Sequence, residues 1–208
     1  MLQVRLSSSV EAGFTIGESL CPYDYRSLKQ THGIRGFDVD LQFQDRSQEG
    51  DWLMTADSRV ALGIRVADCT AILAHGLNRG QSMVLAAHAG WRGTAAGILG
   101  VISQKLAAWE SLELWLSPSI SQTCFEVGPE VIEALGEDAV PFAVAGKSSQ
   151  KFYLNLKGLQ ESRLQKVLPR ARIRSSSLCT YLQPDFYSYR RAGSLSQGRH
   201  LAWIKIRA

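Results

Sequence analysis

Three short segments set metal-capable side chains beside glycines and apolar runs: KQTHG at 29–33, ADC at 67–69 and HAGWRG at 88–93. Imidazole nitrogen and cysteine thiolate are good zinc donors, and three protein ligands leave a fourth coordination position for water or substrate. His32, Cys69 and His88 form such a set. They lie far apart in the chain, unlike the two close ligand pairs of a zinc finger, so a catalytic metal is the better reading. The donor types admit copper as well as zinc. They also admit a metal-free site in which a Cys69 thiolate paired with His88 is the nucleophile. Lys29, Arg92, Arg190 and Arg191 are the candidate anion-holding cations, because ammonium and above all guanidinium groups suit phosphate. Of the adjacent pair, one arginine is expected to contribute and the other to be solvated. Asp68 needs a partner or solvent; it is expected to fix the turn before Cys69 or to orient a ligand.

Strand ends and loops must present these groups. Residues 62–66 (LGIRV) and 70–74 (TAILA) read as buried strands flanking the sharp step at 67–69. The apolar run 83–87 (MVLAA) ends at His88. The spacing predicts a helix over 94–109, with Ile98, Ile102 and Leu106 along one face. A strand is expected at 113–116, a short helix from Pro129 through Leu135, a strand at 152–156, a helix at 158–168 stopped by Pro169, and a closing strand at 201–206. This irregular alternation points to a mixed α+β architecture and away from a doubly wound sheet. With no linker or repeat in view, residues 1–208 are expected to form one domain.

Composition narrows the partners. The chain is 45% hydrophobic and 20% charged, with a formal net charge of +4, as in an ordinary soluble protein. The basic excess has no interleaved aromatic platform, so small anions are favoured over nucleic acid. No stretch approaches the ~18 apolar residues of a membrane span, and the start lacks a secretory pattern. Four isolated cysteines argue against a disulfide framework and for the cytoplasm. Cys21, Cys124 and Cys179 are expected to sit away from the metal, and His75 and His200 to be surface or supporting residues.

The blocks KQTHG, GDWLMTAD, GIRVADCTAIL, HAGWRGTAAGIL, FEVGPEV and CTYLQPDFYSYRRAGSLSQGR follow one another as in the YfiH or laccase-domain family, which this chain resembles from about residue 27 onward. The resemblance implies a layered αββα-type α+β fold, similar to that of the cytotoxic necrotizing factor deamidases. It implies a metal triad of His32, Cys69 and His88, holding Zn2+, with copper as the alternative. The implied activity is phosphorolysis of adenosine, inosine and methylthioadenosine and deamination of adenosine, with purine nucleosides and phosphate as partners. Some bacterial members are linked to peptidoglycan-precursor editing. Tyr181, Phe186, Tyr187 and Tyr189 are then candidates to stack on a purine, against the alternative that they fill the core. The older description of the family, multicopper polyphenol oxidation, requires a trinuclear cluster that four histidines do not supply. A non-enzymatic metal-binding module is the remaining reading. Two features depart from the family pattern: Ser117 replaces a turn glycine that takes φ > 0 freely, and an N-terminal arginine-bearing block is not recognisable.

Overall fold

The structure, a computed structural model, describes all residues except 47, 149, 194–197 and 208. Residues 194–197 of the CTYLQPDFYSYRRAGSLSQGR block therefore lie outside the described residues. Two sheets form the centre. The first has the order β1 (Leu2–Val4), β2 (Val10–Phe14), β14 (His200–Ile206), β6 (Ala61–Val66), β3 (Tyr25–Arg26). The second has the order β13 (Arg172–Ser175), β9 (Glu110–Leu116), β7 (Thr70–Asn78), β8 (Gln81–Ala89), β5 (Trp52–Thr55), β4 (Gly36–Asp38). A small three-stranded sheet, β10 (Glu126–Val127), β12 (Phe152–Leu154) and β11 (Ala143–Ala145), stands beside them.

The near-continuous apolar character of β7 and β8 follows from burial on both faces. Side chains alternate along a strand. Ile72, Ala74, Leu85 and Ala87 accordingly meet the helices, packing with Ile98, Ile102 and Leu106. Ala71, Leu73, Val84 and Ala86 face the other sheet and pack with Phe14, Leu62, Ile64 and Ile204. The two strands join through Arg79 and Gly80, with φ of 52° and 79°, the backbone a tight two-residue hairpin requires. The α+β layering is thus helices on one face of the six-stranded sheet and the five-stranded sheet on its other face. Outside the five-stranded sheet, Trp203 covers Gly13, where a Cβ would lie 2.7 Å from the indole, and meets Tyr23 edge-on at 5.4 Å.

Most expected elements are present, with altered ends. The predicted helix over 94–109 is two helices, α1 (Trp91–Ala96) and α2 (Ile98–Leu106), separated by Gly97 at φ +97°. That left-handed step, easy only for glycine, turns the chain between them. α3 (Pro129–Leu135) starts at its proline as expected. α4 (Leu156–Val167) begins two residues early because Asn155 caps it, its Oδ1 accepting the Gly158 N–H at 3.0 Å. His88 lies within β8 rather than after it. Ser117 does not take a positive φ. Its buried hydroxyl accepts the Ala71 N–H at 2.9 Å and donates to the Pro118 carbonyl at 2.9 Å, so serine stitches β9 to β7 where a bare turn glycine would not.

Candidate metal centre

Strand parity explains why Cys69 and His88 meet. Cys69 precedes β7 in phase with Ala71 and Leu73, and His88, one residue before the end of β8, is in phase with Val84 and Ala86. Ala71 and His88 are register partners. Both side chains therefore emerge between the two sheets, at one end of the sandwich. His32 arrives from the loop after β3. Together the three offer donor atoms within 4.8 Å of one another, the only such group of His, Cys and acidic residues among the described residues. The His32 and His88 rings stand edge to face, with centroids 4.6 Å apart.

The loop carrying His32 is wound around a buried carboxylate. His32 has φ +61°, and this left-handed residue turns three successive N–H groups inward, forming an anion nest. Thr31, His32 and Gly33 donate to the Asp51 carboxylate at 3.3, 3.0 and 2.7 Å. The same carboxylate accepts from His88 Nδ1 at 2.8 Å, and the Asp51 carbonyl accepts the His88 N–H at 2.7 Å. Asp51 is fully buried. Burial pushes its carboxyl up, but His88 and the Gly33 and Thr31 N–H groups outweigh this and hold it below the usual range. With Nδ1 committed to Asp51, Nε2 of His88 is left to face the donor set. This carboxylate–histidine pairing is the usual support of a metal ligand.

Asp51 lies in the GDWLMTAD block, but the sequence reading gave it no role. A GD pair ahead of an apolar strand was the available signal. The glycines of HAGWRG also find their reason here. A Cβ on Gly90 would sit 2.9 Å from Cys69 Sγ and 3.2 Å from His32 Cδ2, and one on Gly93 would meet the Gly33 carbonyl at 3.2 Å. The site occupies the space those side chains would take.

Without a metal the trio is polarised. Burial alone would raise the Cys69 thiol, but hydrogen bonds to His32 and His88 bring its pKa down to about 6. Burial would lower His88, but Asp51 and Cys69 outweigh it and raise it to about 9. The chelator-stripped protein is therefore expected to react with iodoacetamide at Cys69 with a midpoint near pH 6, the thiolate dominating above that pH and disappearing below it. A midpoint at 8–9, the ordinary thiol range, would show that the three side chains do not converge. Adding zinc is expected to suppress the reaction.

Asp68, next to Cys69, has φ +86°. Its carboxylate accepts Thr180 Oγ1 at 2.6 Å, Ser188 Oγ at 3.0 Å and the Arg190 N–H at 2.6 Å. It thereby ties the segment 180–190 to the mouth of the site. Arg190 lines the cleft, its guanidinium 5.3 Å over the Phe125 ring and donating to the Glu126 carbonyl at 2.8 Å. Arg92 lines it too, 4.4 Å over Trp91. Lys29 stands at the rim, paired with Glu49 at 2.7 Å. Arg191 points away: it donates to the carbonyls of Thr180, Tyr181, Gln183 and Phe186 and holds that segment's shape. The cleft above the three donors is about 570 Å³, the usual range for small-molecule sites. Arg65 and Arg199 also line it, neither singled out from sequence.

Of the candidate stacking rings, Tyr189 lines the cleft. Phe186 belongs to the core, and Tyr187 packs on His200 at 5.2 Å. His75 and His200 are not surface residues; they are 4% and 0% exposed. His75 contacts Ser82 at 3.0 Å inside the hairpin. His200 has both ring nitrogens occupied, by the Thr15 carbonyl and the Tyr187 N–H, each at 2.8 Å. Cys179 is buried and accepts from Ser121.

Comparison with known proteins places this architecture. The chain is 29% identical over 221 aligned residues to "Adenosine deaminase RL5" from an unknown prokaryotic organism, covering 98% of this chain and 81% of that protein. It is 32% identical to "Purine nucleoside phosphorylase PA4543" of Pseudomonas aeruginosa, over 86% of this chain and 73% of that protein. The crystal structure of Bacillus licheniformis YfiH superposes with a TM-score of 0.81 at 23% identity, covering 95% of this chain and 93% of that one. No helix among the described residues is long and apolar enough to cross a membrane. A family model described as multi-copper polyphenol oxidoreductase laccase matches residues 16–207, and the chain belongs to that family.

Proposed function

We propose that this chain is a metal-dependent purine nucleoside enzyme, cleaving adenosine, inosine or methylthioadenosine with phosphate and deaminating adenosine. The observation that carries the reading is the convergence of His32, Cys69 and His88 beneath a cleft lined with cations and aromatic faces. The names of the relatives support the same chemistry.

The three side chains fit a single ion. Their donor atoms already cluster, and small side-chain adjustments suffice for ligand distances of about 2.0–2.3 Å. Asp51 holds one donor's tautomer, and the missing Cβ of Gly90 leaves room. His32, Cys69 and His88 would hold the ion, which would supply Lewis acidity toward a water or substrate oxygen. The rest falls to the chain. The guanidinium groups of Arg92 and Arg190, held over the rings of Trp91 and Phe125, offer contact for a purine or ribose and charge for phosphate. Lys29 stands at the rim with its charge met by Glu49. In phosphorolysis a phosphate oxygen bonds to C1′ of the ribose as the glycosidic C–N bond breaks and the purine leaves with a proton. In deamination a water oxygen bonds to C6 and ammonia leaves.

Oxidation by several coppers is disfavoured: of four histidines in the chain, His75 and His200 are committed elsewhere. One observation favours a second reading: a low-pKa Cys69 beside His88, itself oriented by Asp51, has the make-up of a thiol nucleophile. The test is chromatography of adenosine and inosine incubated with the protein, with and without phosphate, alongside metal analysis. Phosphate-dependent release of adenine or hypoxanthine, with about one zinc per chain, is expected. Inosine formed from adenosine without phosphate would report deamination separately. Unchanged nucleosides at full metal content would overturn the proposal in favour of the thiol nucleophile or a non-enzymatic module.

A further inference from the structure

We propose that Arg65 is the centre of an anion subsite in the cleft, built to seat a phosphoryl group. The inference rests on the purine nucleoside reading and deepens it by naming where the phosphate oxygens go. Arg65 lies on β6 between Ile64 and Val66, which both point into the core between the sheets. Alternation therefore turns the Arg65 side chain outward, toward the cleft, which it lines together with Lys29, Gln30 and Arg199.

The guanidinium has no carboxylate in contact with it among the described residues. Its Nε is buried without a hydrogen-bond partner. Leaving a charged donor unpaired is costly. Burial and then the neighbouring positive charge of Arg46 favour its neutral form; Tyr25 and Asp45 act the other way without reversing this, and Arg199 adds the smallest contribution. Asp45 is already engaged, accepting the Ser27 N–H and hydroxyl at 2.7 and 2.6 Å and pairing with Arg46 at 3.8 Å.

The backbone beneath is held firmly. The Gln30 side-chain amide donates to the Arg65 carbonyl at 2.8 Å and accepts the Arg65 N–H at 2.9 Å. Arg65 is thus a fixed cation, with a second arginine on the same wall and a lysine at the rim. Phosphoryl oxygens match this arrangement, because several donors can share one dianion and a guanidinium bonds two of its oxygens. Two sources present that chemistry: free orthophosphate as co-substrate, or the 5′-phosphate of a nucleotide.

The test is calorimetric titration of the protein as purified with inorganic phosphate, with adenosine 5′-monophosphate and with adenosine, for wild type, Arg65→Gln and Arg65→Lys. Melting temperatures close to wild type would certify the variants' folding, and the Gln30 bonds to the backbone survive both changes. Loss of one charge-assisted contact should weaken phosphoryl binding at least about tenfold in Arg65→Gln. Arg65→Lys, which keeps charge without the planar donor pair, should fall between, and adenosine affinity should not change. Weakening for inorganic phosphate identifies free phosphate as the occupant; weakening for the nucleotide alone identifies its 5′-phosphate. Equal phosphoryl affinity in wild type and Arg65→Gln, or no phosphoryl binding by wild type, overturns the subsite. Arg65-dependent phosphate binding without any nucleoside turnover would instead overturn the purine reading and leave the subsite standing.

Discussion

Cys69→Ala is expected to abolish metal binding and, with it, nucleoside turnover, by at least about a thousandfold in kcat/KM. The size follows from the number of donors. With three protein ligands converging, removing the only thiolate leaves two imidazoles, and the remaining pair holds an ion far less tightly. Fold loss is a poor alternative explanation, because Cys69 is only partly buried and packs at the edge of the inter-sheet core. The variant should therefore melt near the temperature of metal-stripped wild type. Cys69→Ser is the companion variant: it keeps size and a weak oxygen donor, and should retain little more metal than alanine does. Metal analysis of the purified variants and single-turnover assays with adenosine and inosine give the answer. Zinc at wild-type stoichiometry in Cys69→Ala with full activity would sink the site assignment. Loss of activity with the metal retained would point instead to the thiol as the nucleophile.

The parts of the site readable in the sequence are those whose neighbours along the chain place them. Cys69 and His88 each sit at one end of an apolar strand, so their place at the end of the sandwich follows from local pattern, and alternation then turns them to one side. Helix α3 was legible for a similar reason, its proline marking the first turn. What escaped depends on contacts between distant segments. Asp51 reads as an ordinary acid before a strand; only the fold wraps residues 31–33 around it and sets His88 beside it. Arg191 looked equivalent to Arg190, yet one caps carbonyls while the other faces the cleft. The difference is one residue's rotation at the start of a four-residue helix, α5 (Tyr189–Ala192). The helix expected over 94–109 erred because good helix formers surround Gly97, and propensity does not reveal that its φ is needed positive. His200 was open to a surface or a supporting place, and only the fold sets it in a central strand with both nitrogens satisfied.

The second large effect is expected at Asp51, and Asp51→Asn isolates it better than a truncation. Asp51 Oδ2 receives the N–H groups of Thr31 and Gly33 and the Thr31 hydroxyl, while Oδ1 receives the His32 N–H and His88 Nδ1. Every partner offers a hydrogen, and the carboxylate answers with acceptors only. An amide must turn its NH2 toward one group of donors. Facing the Thr31–Gly33 side, it opposes two backbone N–H groups and loosens the loop that carries His32. Facing His88, it also opposes the His32 N–H and can be accommodated only by the other histidine tautomer. That tautomer places a hydrogen on Nε2, the nitrogen needed for the metal. Either orientation damages one ligand. Metal affinity should fall about 10- to 100-fold, and stability by roughly 1–3 kcal/mol, because the variant leaves buried donors unpaired. Chelator-competition titration measures the first and denaturant unfolding of the metal-free proteins the second. Running both separates the two consequences, since a purely structural aspartate would lower stability and leave the affinity of the refolded site intact. Turnover partly restored by excess zinc would confirm that Asp51 acts through its histidine. Unchanged affinity would mean that His88 keeps its tautomer without the carboxylate, and the support assigned to Asp51 would then be wrong.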